Sequence, residues 1–176
     1  MTPFTLRDAA PADLPAIVRL IRGLAEYERL LHEVTVTEAD LRPALFGPQP
    51  RLQATLAEVG AERVGLALFY YTFNTFKARP NIFLEDLFVE PAHRGKGIGL
   101  ALMRHLARKA VAEGCRLLEW RVLHWNQPSI DFYERLGARA MQDWQTRQLD
   151  GDALAALAHP LTNPLAHQNP TGEQHG

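Results

Sequence analysis

Cysteine is all but absent from this chain of 176 residues, which carries Cys115 alone. One thiol closes no intrachain disulfide, so a reducing, cytoplasmic setting is expected. No run of about 18 apolar residues occurs, and Met1 to Asp8 lack the apolar centre of a secretion signal, so no membrane partner is expected. Charge of one sign is lacking too. The 19 Lys and Arg balance 20 Asp and Glu, which argues against general affinity for nucleic acid. There is no internal repeat, and no metal is expected. What is present is an ordinary globular balance, 47% hydrophobic and 22% charged, in a chain long enough for one domain with a full core. Residues 1–158 are read as that domain. Residues 159–176, rich in Pro, Asn, Gln and His and poor in apolar side chains, are read as a disordered tail.

Phe4 and Leu6 alternate with Thr5 and Arg7 in a short strand. Leu14, Ile17, Val18, Ile21, Leu24 and Ala25 share one face of a helix that runs to Glu28. Thr37 and Asp40 stand at capping-box spacing before a short helix that ends at Gly47. Leu52–Val59 and Arg63–Phe73 form a hairpin around Gly60, and Ile82–Val89 is the next strand. A helix from Gly97 turns Ile98, Leu102, Leu106, Ala110 and Val111 inward and stops at Gly114. Leu117–Leu123 reads as a strand, Asn126 opens a helix closed by Gly137, Arg139–Leu149 reads as a weaker strand, and a short helix lies around Ala153–Ala158. The order β α α β β β α β α β predicts an α+β fold, a mixed, mostly antiparallel sheet flanked by helices.

The chemistry gathers between Phe83 and Leu100. An apolar strand holding Glu85 and Asp86 stops at Pro91, a basic turn with Gly95, Gly97 and Gly99 follows, and a helix begins. Unpaired N–H groups at a helix start attract anions, and glycines let a ligand come close to the backbone. A dinucleotide fingerprint would need a small residue where Leu100 stands, and a Walker loop needs Ser or Thr where Gly97 stands. With Arg94 and Lys96 beside it, the turn describes a cradle for a pyrophosphate.

The run Arg94 to Gly99, preceded by Phe88-Val89 and Pro91, resembles the cofactor site of the GNAT superfamily of acyl-CoA N-acyltransferases. The resemblance implies a GNAT fold with a splayed central strand pair and acetyl-CoA as cosubstrate. Its pyrophosphate would rest on Gly95, Lys96, Gly97, Ile98, Gly99 and Leu100 beside Arg94, and its pantetheine arm on the backbone of Leu87, Phe88 and Val89. The run Trp125 to Ala138 resembles the family's next segment, which implies cofactor contacts for Asn126, Ser129 and Tyr133. Leu20 to Glu28, Thr37 to Leu41 with Phe46-Gly47, Phe83 to Val89, and Trp125 to Ile130 together resemble the diamine (spermidine/spermine) N-acetyltransferase branch and its thialysine-acetylating relatives. That branch implies a homodimer and a small amine as partner.

Acetyl transfer to an amine needs a base, because an alkylammonium has a pKa near about 10.4. Adjacent strand residues point to opposite faces unless a bulge intervenes, so Glu85 and Asp86 should separate. By resemblance Glu85 faces the amine, directly or through water, and Asp86 is structural. Tyr133 is the expected general acid to the departing sulfur. No acyl-enzyme is expected, and Cys115 reads as a small buried side chain. By resemblance Tyr27 and Glu28 bind the acceptor. Glu119 and Arg121 share one face of their strand, with Trp120 on the other, and are expected to line the cleft. Trp144 matches a residue kept by the branch. Asn74, where the polyamine enzymes tend to carry an acid, and the shorter, less acidic Met141–Trp144 depart from them. A polyamine or diamine is the default acceptor, and a thialysine-, lysine- or ornithine-like amino acid is the alternative. A CoA-binding module without turnover is the reading from another class, and the set Glu85, Asn126 and Tyr133 argues against it.

Overall fold

Alternation makes the strands and four-residue ridges make the helices, and the two meet on a five-stranded sheet. The computed structural model describes residues 3–159. It divides at Ile130 into two compact units. In the first unit the order is β1 (Thr5–Asp8), α1 (Leu14–Tyr27), α2 (Glu38–Phe46), β2 (Gln53–Val59), β3 (Glu62–Asn74), β4 (Arg79–Val89), α3 (Ile98–Ala112) and β5 (Leu118–Trp120). The sheet runs β1-β2-β3-β4-β5, antiparallel except for the parallel pair β4 and β5. Helix α4 (Gln127–Arg135) crosses the division, and α5 (Gly151–Ala158) lies in the second unit. The 159–176 tail expected from composition falls, from residue 160 on, outside the described residues.

The predicted caps form. Thr37 Oγ1 accepts from the Asp40 N–H, and Asp40 accepts from the Thr37 N–H at 2.9 Å. Helix α1 ends in a Schellman turn, with Leu30 N–H on Ala25 O and Arg29 N–H on Glu26 O. Arg29 takes the left-handed conformation there, at φ +63°. On one face of the sheet Leu14, Ile17 and Leu20 of α1 and Leu41 and Leu45 of α2 bury Leu56, Leu66, Leu68 and Phe88. Helix α3 lies against β3 and β4 from the other face, with Ile98, Leu102, Leu106 and Ala110 buried. Gly65 lets it approach, since a Cβ there would stand 3.2 Å from Ile98 Cγ2.

Three expectations fail. Val111 is 81% exposed, because the buried ridge of α3 repeats every four residues through Ala110 and carries Val111 past it. The strand expected over Leu117–Leu123 is only Leu118–Trp120, which pairs with Ile82, Phe83 and Leu84 and goes no further. Residues 139–149 form no strand. Thr146 is their one β-branched residue, so little there favours an extended chain without a partner.

Candidate functional site

The sheet opens where β4 bulges. Phe69 pairs with Leu84 and Leu68 with Asp86, so Glu85 is an extra residue without a partner on β3. The β5 ladder stops at Leu84, one residue earlier. From Glu85 to Val89, β4 therefore keeps β3 on one side and, among the described residues, no strand on the other, which is the splay implied by the resemblance. Its free edge turns outward the backbone of Leu87 and Val89, which alternate with Phe88, paired to Leu66 on β3; Val89 O is taken by Arg94 Nε, and the rest is open to an extended ligand.

The bulge also changes which way the carboxylates face. Directly opposed residues share a face, so Phe83 with Tyr70 and Asp86 with Leu68 lie on the α1 side, although an odd number of residues separates them. Regular alternation predicted that Glu85 and Asp86 would part. Instead they act on one another: burial first, then the charges of Glu85 and Glu28, push the half-buried Asp86 carboxyl up to about 6. Burial also raises Glu28, which stands half-buried as the C-cap of α1. Asp86 pairs with no cation among the described residues, so an unneutralised acid sits at the opened edge. The sequence reading gave Asp86 a structural part, and only an anticipated bulge could have shown that it shares a face with Phe83.

Tyr27, in the last turn of α1, donates to Asn126 Oδ1 at 2.8 Å. Asn126 is buried and its own carbonyl receives the N–H groups of Ser129 and Ile130 as α4 starts. Asn126 thus holds the end of α1 to the start of α4. Trp125 adds its ring 6.1 Å from that of Tyr27, and Arg29 lies over Trp125.

Beside the open edge runs a groove of about 870 Å³, floored by Gly23 and Phe88 and bordered by Arg22, Tyr27, Glu90 and Arg94. Gly23 makes room for it: a Cβ there would stand 2.8 Å from the Phe88 ring. The turn from Arg94 leads into α3 through Gly95 at φ +72° and Gly97 at φ +84°, conformations that favour glycine. Among the described residues nothing lies within 4 Å of where their Cβ atoms would be, and the first N–H groups of α3, at Ile98, Gly99 and Leu100, have no carbonyl partner within the helix. A pyrophosphate and an extended arm fit this turn and this edge. The two cations of the turn are engaged locally: Arg94 Nε donates to Val89 O at 2.9 Å and its guanidinium covers the Tyr27 ring at 4.6 Å, while Lys96 Nζ donates to Ala92 O. Among the described residues no group of three or more His, Cys, Asp or Glu is placed to hold a metal ion.

Further along the same face, the rings of Tyr70 and Phe83 stack at 5.2 Å. The Arg121 guanidinium carbon lies 5.2 Å from the Phe83 centroid, and Glu119, opposite Phe83 in the ladder, accepts from Thr72 Oγ1. Burial, then the charge of Glu85, raises the Tyr70 hydroxyl, with Arg121 acting against them. Glu119 and Arg121 therefore both stand beside Phe83. Trp120, paired with Leu84, alternates away from them. Tyr70 and Phe83 were missed, and their aromatic side chains gave no signal beyond strand propensity.

In the second unit Tyr133 and Phe132 are both half-buried, their rings 5.3 Å apart, and Tyr133 O receives Leu136 and Ala138 N–H groups where the helix closes. Trp144 is 74% exposed in irregular chain.

Residues 18–138 match the model of the acetyltransferase (GNAT) family. Over 169 residues the chain is 36% identical to a thialysine N-epsilon-acetyltransferase of Sus scrofa, covering 90% of this chain and 99% of that one. It is 34% identical to the spermidine/spermine N(1)-acetyltransferase-like protein 1 of Homo sapiens, over 90% of this chain and 24% of that protein. An integron cassette protein from the mobile metagenome of V. cholerae superimposes with a TM-score of 0.75 at 26% identity, over 90% of this chain and 98% of its own.

Proposed function

This chain belongs to the GNAT family and is an N-acetyltransferase, and from that premise we propose that it acetylates a primary amine of a small molecule by direct attack. The observation that carries the reading is the unpaired, half-buried Asp86 beside Glu85 and Glu28, at the point where β4 opens next to the glycine turn. Bound acetyl-CoA supplies the acetyl group as a thioester. The chain's own residues bind, orient and move protons. The N–H groups of Gly95 to Leu100 hold the pyrophosphate. The edge of Leu87, Phe88 and Val89 aligns the arm, with Asn126 and Ser129 beside it, and an N–H near Phe88 or Val89 polarises the acetyl carbonyl. Glu28, Glu85 and Tyr27 draw in the ammonium, and Asp86 takes its proton, with Glu85 as the alternative acceptor through water. The phenol of Tyr133 donates to the departing sulfur. Burial raises the Cys115 thiol, which keeps it protonated and unsuited to an acyl-enzyme.

A diamine or polyamine and a thialysine-, lysine- or ornithine-like amino acid both fit a carboxylate-lined amine site. Release of free thiol on mixing with acetyl-CoA and an amine panel tests the reading; no release with any amine overturns it in favour of a module that only binds CoA. Tyr133→Phe is expected to lower kcat by about 10²-fold with little change in the acetyl-CoA KM. A kcat within twofold of wild type would remove Tyr133 from its role. The reading includes a cytoplasmic homodimer; light scattering that returns the mass of a single chain overturns the dimer.

A further inference from the structure

We infer that Tyr70 is a positioning residue for this reaction, its phenol donating to Glu85 and holding that carboxylate at the opened edge of β4 where the amine arrives. That role rests on the reading of the site as an amine acetyltransferase and adds a residue to it.

Strand register brings the phenol to the acid. Tyr70 pairs with Phe83 and Leu68 with Asp86, so Glu85, the extra residue of the bulge, lies between the two pairs. It is a diagonal neighbour of Tyr70 across the strand pair, within reach of an aromatic side chain. The half-buried ring is also seated. It stacks on Phe83 with centroids 5.2 Å apart and planes 28° from parallel, and Phe83 carries the Arg121 guanidinium at 5.2 Å. A ring packed in this way has few orientations, and its hydroxyl is set with it.

That hydroxyl has one acid to serve. Glu85, Arg121 and Glu119 are the charged groups that act on it, and of the two acids only Glu85 takes its hydrogen bond. Glu119 accepts from Thr72 Oγ1 at 3.3 Å. Burial, then the charge of Glu85, raises the hydroxyl, so it keeps its proton and remains a donor at neutral pH. Glu85 gains most from such an anchor. It is exposed at the bulge, whereas Asp86 is shorter and half-buried. A long carboxylate free among its rotamers must be ordered each time an ammonium binds, and the bond to Tyr70 does that ordering in the fold. Tyr70 itself acts only through Glu85.

Tyr70→Phe keeps the ring for the stack and removes the hydroxyl, and two measurements read the loss. The first needs no turnover. Phenolate absorbance of the wild type, less that of Tyr70→Phe, isolates Tyr70, whose midpoint is expected above the ordinary tyrosine value. The same difference taken in a Glu85→Ala background should show the midpoint at lower pH. The second is initial rates. Tyr70→Phe is expected to lower kcat/KM for the amine about tenfold, chiefly through KM, with the acetyl-CoA KM unchanged. In the Glu85→Ala background the same change should matter less than twofold, because its partner has gone. Equal losses in both backgrounds, or a phenolate midpoint that Glu85→Ala leaves in place, would overturn the inference and leave the acetyltransferase reading standing. Turnover by no protein of the set, wild type included, would overturn both.

Discussion

Asp86 weakens the fold that holds it. Its carboxyl is pushed up to about 6, so between the ordinary carboxylate range and that value the folded chain keeps a proton that the unfolded chain has released. Stability from this group is complete below the ordinary range and is lost as pH rises through about 6. Replacing Asp86 by Asn removes the charge, and is expected to raise the unfolding free energy at about pH 8 by about 1–3 kcal/mol while cutting kcat. Urea melts beside initial rates check both, and a less stable variant would contradict this account. The same group should set the acid side of the kcat/KM profile near pH 6. In Glu85→Gln that limb moves to lower pH, because one of the charges raising Asp86 has gone. An unmoved limb would show that Asp86 is not the base.

At the scale of elements, the proposed reaction draws on one strand and one turn, and the turn and the groove beside the strand each contain a glycine that shapes them. Gly97 takes φ +84° as the N-cap of α3, where no neighbour crowds a Cβ. The change Gly97→Ala meets only backbone strain, about 1–2 kcal/mol, and misaligns the first N–H groups of α3. The acetyl-CoA KM should rise while the amine KM stays put, which initial rates at varied acetyl-CoA would show. Gly23 differs, because its limit is contact. Gly23→Ala drives a methyl into Phe88 and is expected to cost about 1–3 kcal/mol in a denaturant titration. A variant as stable as wild type would mean that Phe88 yields and the groove is soft. The bulge at Glu85 was legible only as an exception to alternation, because pairing register belongs to two strands and the sequence of one does not state it.

For the whole molecule, a buried ionic cluster ties the first three strands to the start of α1. Asp13, 1% exposed, accepts from Arg7 at 2.6 Å and from Arg63 at 3.1 Å, and Arg7 also reaches Glu58. The Arg7 hydrogen bond holds the Asp13 carboxyl well below the usual carboxylate range, against the cost of its burial. That stability is present above the ordinary range and is lost as pH falls through the lowered value. Asp13→Asn leaves the two guanidinium groups only Glu58 to share, and is expected to cost about 2–4 kcal/mol at neutral pH and to blunt the fall in stability with acid. Urea midpoints at several pH values measure it, and parallel curves for the two proteins would refute it.

Much of this protein was determined by sequence alone, wherever a property is local. Thr37 and Asp40 set a cap, the leucine and isoleucine ridges set the buried faces of α1 and α3, and the glycines after Arg94 set a left-handed turn that opens a helix. Those patterns act within a few residues, so they survive without the rest of the chain. Tertiary structure alone decided how the candidate site is arranged. Register on β3 turned Asp86 to join Glu85 and Glu28, the short reach of β5 opened the edge of β4, and Phe83 gave Arg121 its seat. The physical reason is that desolvation and the charges of distant neighbours, which raise the Asp86 carboxyl, act through space and are not written in the order of residues.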